Sequence, residues 1–105
     1  MLVGHNVGFD YSFLKQLVAT TGHERLPKLS HRSVDTHSLL RCLAWLGRIP
    51  VSACSSDGAL AHFGIDVADG ERHTALGDAR ATLRLTEAIF DELGGRSDEA
   101  LNYAV

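Results

Sequence analysis

The segment from His73 to Ala79 constrains this chain more than any other, because it places a histidine and an aspartate five residues apart at the start of a helix. In a helix that included both residues, their side chains would point about 140° apart. They can cooperate only if the helix begins between them, with Thr74 as the N-cap and His73 in the preceding loop. Asp78 is then the fourth helical residue, and we expect this segment to form part of an active centre.

A second aspartate has the same position in a helix predicted near the first residue. The opening residues are typical of the end of a strand, and Asn6 is a favourable N-cap residue. The helix is predicted over Val7–Thr21, with Gly22 ending it. Asp10 is its fourth residue, and a carboxylate on an inward face must be paired, hydrogen-bonded or bound to metal. It begins an apolar stripe that we expect to face the interior: Phe13, Leu14, Leu17 and Val18.

Capping residues and apolar periodicity predict the remaining elements. After a connection we expect a short strand at Arg32–Val34, a helix capped by Asp35 or Thr36 and running to about Leu46, a short helix capped by Ser55 or Ser56 and ended by Gly64, and a long helix over about 75–93. The buried side of the second predicted helix is Leu39, Leu40, Leu43 and Leu46. The last helix is predicted to have a seam of Leu76, Ala79, Leu83, Thr86 and Phe90, with Ala75, Asp78, Thr82, Leu85 and Ile89 beside it.

Composition limits the class of protein. The chain has 105 residues, enough for one small domain, and its 45% hydrophobic and 22% charged content is ordinary for a soluble globular protein. The net charge of −3 argues against a broad basic face for duplex nucleic acid, but not against an enzyme that holds a strand end through metal ions. No apolar run approaches the roughly 20 residues of a membrane span. The two cysteines fit neither a metal spacing nor a secreted disulfide framework, so we predict a cytoplasmic protein with no membrane partner.

Two aspartates in first helical turns, each on an inward-facing edge, indicate one shared polar site. Helix N-termini favour negative charge, so Asp10 and Asp78 can hold a hard divalent cation, Mg²⁺ or Mn²⁺ rather than Zn²⁺. A histidine beside them can act as a general base, and phosphodiester hydrolysis is the natural reaction of such a site. The alternative is structural: each aspartate can serve only the helix dipole, and His73 can be an ordinary loop residue.

Two segments resemble the motifs of a known nuclease family. Residues 5–10, HNVGFD, resemble the second motif of the DEDDh 3′–5′ exonucleases, H-N-x-x-F-D. Residues 72–79, RHTALGDA, resemble their third motif, H-x-A-x-x-D-A. The motifs occur in the family's order, and the resemblance extends from residue 1 to about residue 93. It is strongest to the proofreading epsilon subunit of bacterial DNA polymerase III and its stand-alone relatives, and it implies an α/β fold of the ribonuclease H-like type.

The resemblance implies roles for five residues. Asp78 would be a direct metal ligand, Asp10 would hold a second metal ion, and His73 would deprotonate the attacking water. Asn6 and Phe9 match positions near the bound nucleotide, although capping and core packing are equally good explanations for them. The remaining histidines have simpler predictions, since His5 is expected to be structural and the others, His23, His31, His37 and His62, to be surface residues.

One motif of the family is not found. The first motif is an Asp-x-Glu pair on the central strand, and no such pair precedes residue 5. We therefore expect residues 1–94 to be the C-terminal portion of an exonuclease domain, with two short parallel strands, without its three N-terminal strands and with an incomplete two-metal site. Residues 95–105 would be a tail or linker. The isolated chain is then expected to be catalytically impaired, marginally stable and prone to self-association through an open strand edge.

The resulting functional prediction is metal-dependent hydrolysis of DNA from the 3′ end, releasing nucleoside monophosphates, with a single-stranded 3′ end as substrate. One alternative is an RNA-trimming exonuclease of the same family. The other is a non-catalytic module that binds a DNA polymerase subunit. The residues themselves do not decide between a DNA and an RNA substrate, although residues 75–79 are more similar to the branch of the family associated with DNA polymerases.

Overall fold

Two short parallel strands and four α-helices make up the part of the chain that the computed structural model describes, residues 1–22 and 32–95. The elements, in chain order, are β1 (Leu2–Gly4), α1 (Val7–Thr21), β2 (Ser33–Asp35), α2 (Thr36–Trp45), a 3₁₀ turn (Val51–Cys54), α3 (Ser56–His62) and α4 (Ala75–Glu92). The coarse prediction of an α/β protein with two parallel strands is confirmed, and each of the four helices lies where capping and periodicity predicted it.

The two strands pair in parallel, with Leu2 opposite Ser33 and Gly4 opposite Asp35. Parallel neighbours need a crossover connection, and α1 lies within it. The carboxyl ends of both strands therefore meet at one edge, where α1 and α2 begin.

Local capping bonds explain why three of the helices start where they do. The side chains of Asp35, Ser55 and Thr74 accept hydrogen bonds from the backbone N–H of the residue two or three positions later, as predicted for N-caps. Asn6 is different: it precedes α1 as predicted, but its backbone is left-handed, with φ of 60°, and its side chain makes no capping bond. The prediction of Asn6 as a capping side chain is therefore wrong.

The hydrophobic core lies among α2, the 3₁₀ turn, α3 and α4. Fully buried side chains from α2 and α4 meet there, with smaller residues between them. The contributors include Leu40 and Leu43 of α2 and Leu85 and Ile89 of α4. Ile65 packs against this cluster after α3.

The predicted inward stripe of α1 is only partly confirmed, because Leu14 and Val18 are half-buried but Asp10 is exposed. Phe13 is 60% exposed and Leu17 is 45% exposed, and Val7 is the buried residue of this helix. The reason is geometric: α1 packs chiefly on β1 and β2, which are three residues long each and cannot cover a helix of fifteen residues.

Two further burial predictions need correction. Leu46 is exposed because α2 ends at Trp45, which leaves Leu46 as the C-cap residue. On α4, Leu76 is 61% exposed and Leu83 is 50% exposed, although Thr86 of the same predicted seam is buried. The buried face is the adjacent one, because α4 turns it toward α2, α3 and β1: Gly77, Ala81, Leu85 and Ile89.

Several predictions concern residues outside the described ranges, including His23, His31 and nearly all of the tail from residue 95. Within the described ranges, no helix is long and apolar enough to cross a membrane.

Candidate functional site

A cavity of about 720 Å³ opens at the carboxyl end of β1, between the first turn of α1 and the first turns of α4. In parallel α/β structures this edge is where ligands usually bind. The polar side chains that line the cavity come from four segments: His5, Asp10, Ser56, Arg72, His73, Asp78 and Thr82.

The three residues predicted to be catalytic all line this one cavity. Asp10 comes from α1, whereas His73 and Asp78 lie far along the chain, in the loop before α4 and in its first turn. Asp10 reaches the cavity because α1 starts directly after β1. Its Oδ2 atom lies 3.8 Å from the point that a Cβ on Gly4 would occupy. The fold therefore brings residues from two distant motifs to the same cavity.

His73 and Asp78 are joined through the backbone. The N–H of His73 donates a hydrogen bond to Asp78 Oδ1 over 3.0 Å, and His73 has a left-handed backbone with φ of 71°. Such a conformation costs a non-glycine residue on the order of 1–3 kcal/mol. Among the described residues, the non-glycine positions with positive φ are Asn6 and His73, one in each motif. Strain of this kind is concentrated at functional sites.

The loop before α4 packs tightly on the first turn of the helix. Thr74 Oγ1 accepts the Gly77 N–H over 3.1 Å and donates to the carbonyl of Glu71 over 2.6 Å. A Cβ on Gly77 would lie 2.1 Å from that same carbonyl oxygen, so only glycine fits. This packing holds the backbone on which Arg72 and His73 are mounted.

Asp78 is kept ionised by its hydrogen-bond donors. The His73 N–H, and after it the Arg72 guanidinium, lower the pKa of Asp78 below its ordinary value, while partial burial opposes them. In turn, hydrogen bonds to Asp57 and Asp78 raise the pKa of Arg72. The ionised carboxylate and the charged guanidinium therefore form an ion pair on one wall of the cavity.

A second polar group lies where β1 passes into α1. Asp35 Oδ1 accepts the N–H of Asn6 over 3.0 Å and the N–H of His37 over 2.9 Å, so one carboxylate links the starts of α1 and α2. His5 Nδ1 is 3.1 Å from Thr36 Oγ1. These bonds explain how the second motif is held against β2.

His37 was predicted to be a surface residue, and this prediction is wrong. The side chain is half-buried, its Nδ1 lies 3.0 Å from the Cys54 carbonyl oxygen, and its ring meets His5 edge to face at 5.2 Å. His62 is exposed, as predicted. Burial, followed by the nearby His37 charge, lowers the pKa of His5, and the Asp35 carboxylate opposes this shift.

The two residues predicted to bind substrate are placed less centrally. Asn6 is exposed, and its backbone, rather than its side chain, is engaged by Asp35. Phe9 is largely exposed on α1. Neither is among the residues that line the cavity.

The sequence motifs assign no role to Arg72. Its side chain nevertheless makes more hydrogen bonds at the site than the side chain of any predicted site residue. The guanidinium Nη1 donates to Asp78 Oδ1, Nη2 donates to Ser56 Oγ over 3.1 Å, and Nε and Nη2 both donate to Asp57 Oδ1. The available signal was an arginine directly before the predicted base, with an acidic residue in the first turn of α3. Local patterns cannot show that these segments meet.

The described side chains do not by themselves complete a metal centre. The carboxylates of Asp10 and Asp78 are hard oxygen donors of the kind Mg²⁺ and Mn²⁺ bind. However, within residues 1–22 and 32–95 no group of three or more His, Cys, Asp or Glu side chains is arranged to hold a metal ion. One oxygen of Asp78 is also engaged by Arg72 and the His73 N–H. Further ligands would be needed for a two-metal site.

Two comparisons with known proteins assign no family to this chain. No protein-family model matches the chain, and no solved structure matches it significantly.

Proposed function

We propose that this chain carries the second and third motifs of a DEDDh-type 3′–5′ exonuclease with a ribonuclease H-like fold, which hydrolyses DNA from its 3′ end to nucleoside monophosphates. The observation that carries the proposal is the meeting of Asp10, His73 and Asp78 around one cavity at the carboxyl end of β1. The motifs alone single out these three residues. An accidental pair of motif matches would have no reason to share a cavity.

Each residue has a chemical task in the proposed reaction. His73, mounted on its left-handed backbone at the cavity wall, takes a proton from the water that attacks the phosphorus atom. Asp10 and Asp78 supply carboxylate oxygens for divalent cations, which when bound would stabilise charge on the phosphate. The remaining ligands would have to come from an Asp-x-Glu strand, which these residues do not provide before the second motif.

The first experiment reads the DNA upstream of the codon for Met1. An in-frame segment that encodes a strand with Asp-x-Glu is the expected result. A stop codon followed by a promoter would contradict the enzymatic proposal and favour a binding module. This observation is independent of whether the 105-residue chain folds well alone.

The second experiment uses the extended protein, which is this chain together with the in-frame upstream segment. It measures trimming of fluorescent single-stranded DNA, and of a matched RNA, in Mg²⁺ or Mn²⁺. We expect stepwise shortening from the 3′ end, and a loss on the order of 10²–10⁴-fold when His73→Ala removes the base. Asp78→Asn should also abolish trimming, whereas His62→Ala, an exposed histidine elsewhere, should leave it unchanged. The 105-residue chain alone is expected to be inactive. A folded extended protein that trims neither nucleic acid would overturn the proposal.

A further inference from the structure

Arg72 is shared between two carboxylates at the candidate site. Its Nη1 donates to Asp78 Oδ1, while Nε and Nη2 donate to Asp57 Oδ1 over 3.1 and 2.7 Å. The Arg72 side chain is only 26% exposed, whereas Asp57 is largely exposed in the first turn of α3. The guanidinium therefore bridges the N-termini of α3 and α4.

The backbone leaves Arg72 little choice of position. Its neighbours Glu71 and Thr74 are tied together by two hydrogen bonds, and Gly77 packs directly on the Glu71 carbonyl. The loop thus projects Arg72 across the gap between the two helices. A guanidinium stays charged at all accessible pH values, so its positive charge beside Asp78 cannot be removed by losing a proton.

A divalent cation at Asp78 would have to replace this charge. Asp78 Oδ1 already accepts the Arg72 donor and the His73 N–H, and a dication beside Arg72 would be repelled. Asp57 offers a second partner, because its Oδ1 accepts two hydrogen bonds from the other side of the guanidinium. Arg72 can release Asp78 without losing all of its partners.

We propose that Arg72 is the resident counter-ion of Asp78, that it competes directly with a divalent cation for this carboxylate, and that Asp57 retains it when the cation binds. The pairing itself stands independently of the nuclease assignment. Its meaning as control of metal loading rests on the proposed function.

The test is a Mn²⁺ titration of the 105-residue chain, followed by paramagnetic broadening of backbone amide signals at Asp78 and its neighbours. Arg72→Gln should bind Mn²⁺ about two- to fivefold more tightly at Asp78 than the unaltered chain, because the competing charge is gone. Asp57→Asn should bind Mn²⁺ more weakly, because Asp78 is then the one carboxylate of this pair that still holds Arg72. Asp78→Asn should abolish the broadening there.

Matched variants separate competition from a general change in charge. Arg80→Gln and Glu71→Gln alter the same charges nearby, and these side chains pair with each other across 4.0 Å rather than with Asp78. The Mn²⁺ affinity at Asp78 must be higher in Arg72→Gln than in Arg80→Gln. It must be lower in Asp57→Asn than in Glu71→Gln. Equality in either comparison overturns the proposal. Asp57→Asn keeps the guanidinium in place, so it remains informative if Arg72→Gln does not fold.

The outcomes also separate this proposal from the nuclease assignment. Equal Mn²⁺ affinity in the unaltered chain and Arg72→Gln rejects competition but leaves the nuclease open. Tighter binding by Arg72→Gln, with no trimming by the extended protein, supports competition and rejects the nuclease. No Mn²⁺ binding at Asp78 in any variant rejects competition at this carboxylate.

Discussion

Substitution of Gly77 has a direct structural consequence at the candidate site. A methyl group there would lie 2.1 Å from the Glu71 carbonyl oxygen and 2.7 Å from Thr74 Oγ1. Since the Glu71 carbonyl belongs to the loop that carries Arg72 and His73, Gly77→Ala must displace the loop or the start of α4.

We predict that Gly77→Ala lowers the free energy of unfolding by on the order of 1–3 kcal/mol, as overpacking does elsewhere. Gly8→Ala is the matched control, because a Cβ on Gly8 meets nothing within 4 Å and alanine favours a helix. It should leave stability unchanged or raise it by up to about 1 kcal/mol. Urea unfolding of the three proteins measures both effects. Equal stabilities for the two variants would contradict the close packing of the loop on α4.

At the scale of elements, α1 differs from the other long helices. Its buried side chain is Val7, at its first turn, whereas α4 buries residues along nearly its whole length. Local opening costs least where few apolar contacts are lost. Most of α1 should therefore open more easily than the core around α2 and α4.

Amide hydrogen exchange should show this difference. We predict that amides of residues 13–18 in α1 exchange faster than those of residues 85–89 in α4, which should approach the protection set by global unfolding. The same substitution at two leucines provides an independent measurement: Leu85→Ala should cost about 2–5 kcal/mol, because Leu85 is fully buried, and Leu17→Ala well under 1 kcal/mol. Equal amide protection in the two helices, with equal losses of stability in the two leucine variants, would mean that α1 is part of the same cooperative core.

At the same scale, helix boundaries were predictable, and so was the buried side of α2 with Leu40 and Leu43, but the buried faces of α1 and α4 were not. The N-caps Asp35, Ser55 and Thr74 act on backbone groups two or three residues away, so their sequence neighbourhoods contain all the needed information. The exposed face of α1 was predicted to be buried because its apolar spacing is regular. A regular stripe is buried only when another element covers it, and local sequence does not report which elements do so.

At the scale of the whole molecule, ionisation should make stability depend on pH. Burial, and then the charge of His37, lower the pKa of His5 from 6.5, so the folded state favours the neutral imidazole. Stability is then full above the unfolded pKa and is lost as the pH falls below about 6.5. The lowered pKa of Asp78 acts in the same direction at lower pH, where stability is lost as the carboxylate becomes protonated below 3.8.

We predict that the free energy of unfolding decreases from pH 7 to pH 5 and that His5→Gln removes part of this decrease. His62→Gln is the matched control, because His62 is exposed and should leave the slope unchanged. Urea unfolding at several pH values measures the slopes. If the free energy of unfolding of His5→Gln fell with pH as steeply as that of the unaltered protein, His5 would not be the group that destabilises the fold in acid.

The sequence by itself determined the four helices, the two short strands and the identity of Asp10, His73 and Asp78 as candidates. Capping, periodicity and motif spacing depend on residues close together in the chain, so they can be recognised without a fold. Only the tertiary structure decided that these three residues line one cavity, that Arg72 bridges Asp57 and Asp78, that His37 is half-buried and that α1 exposes Phe13. The physical reason is that burial and charge pairing depend on which distant segments meet.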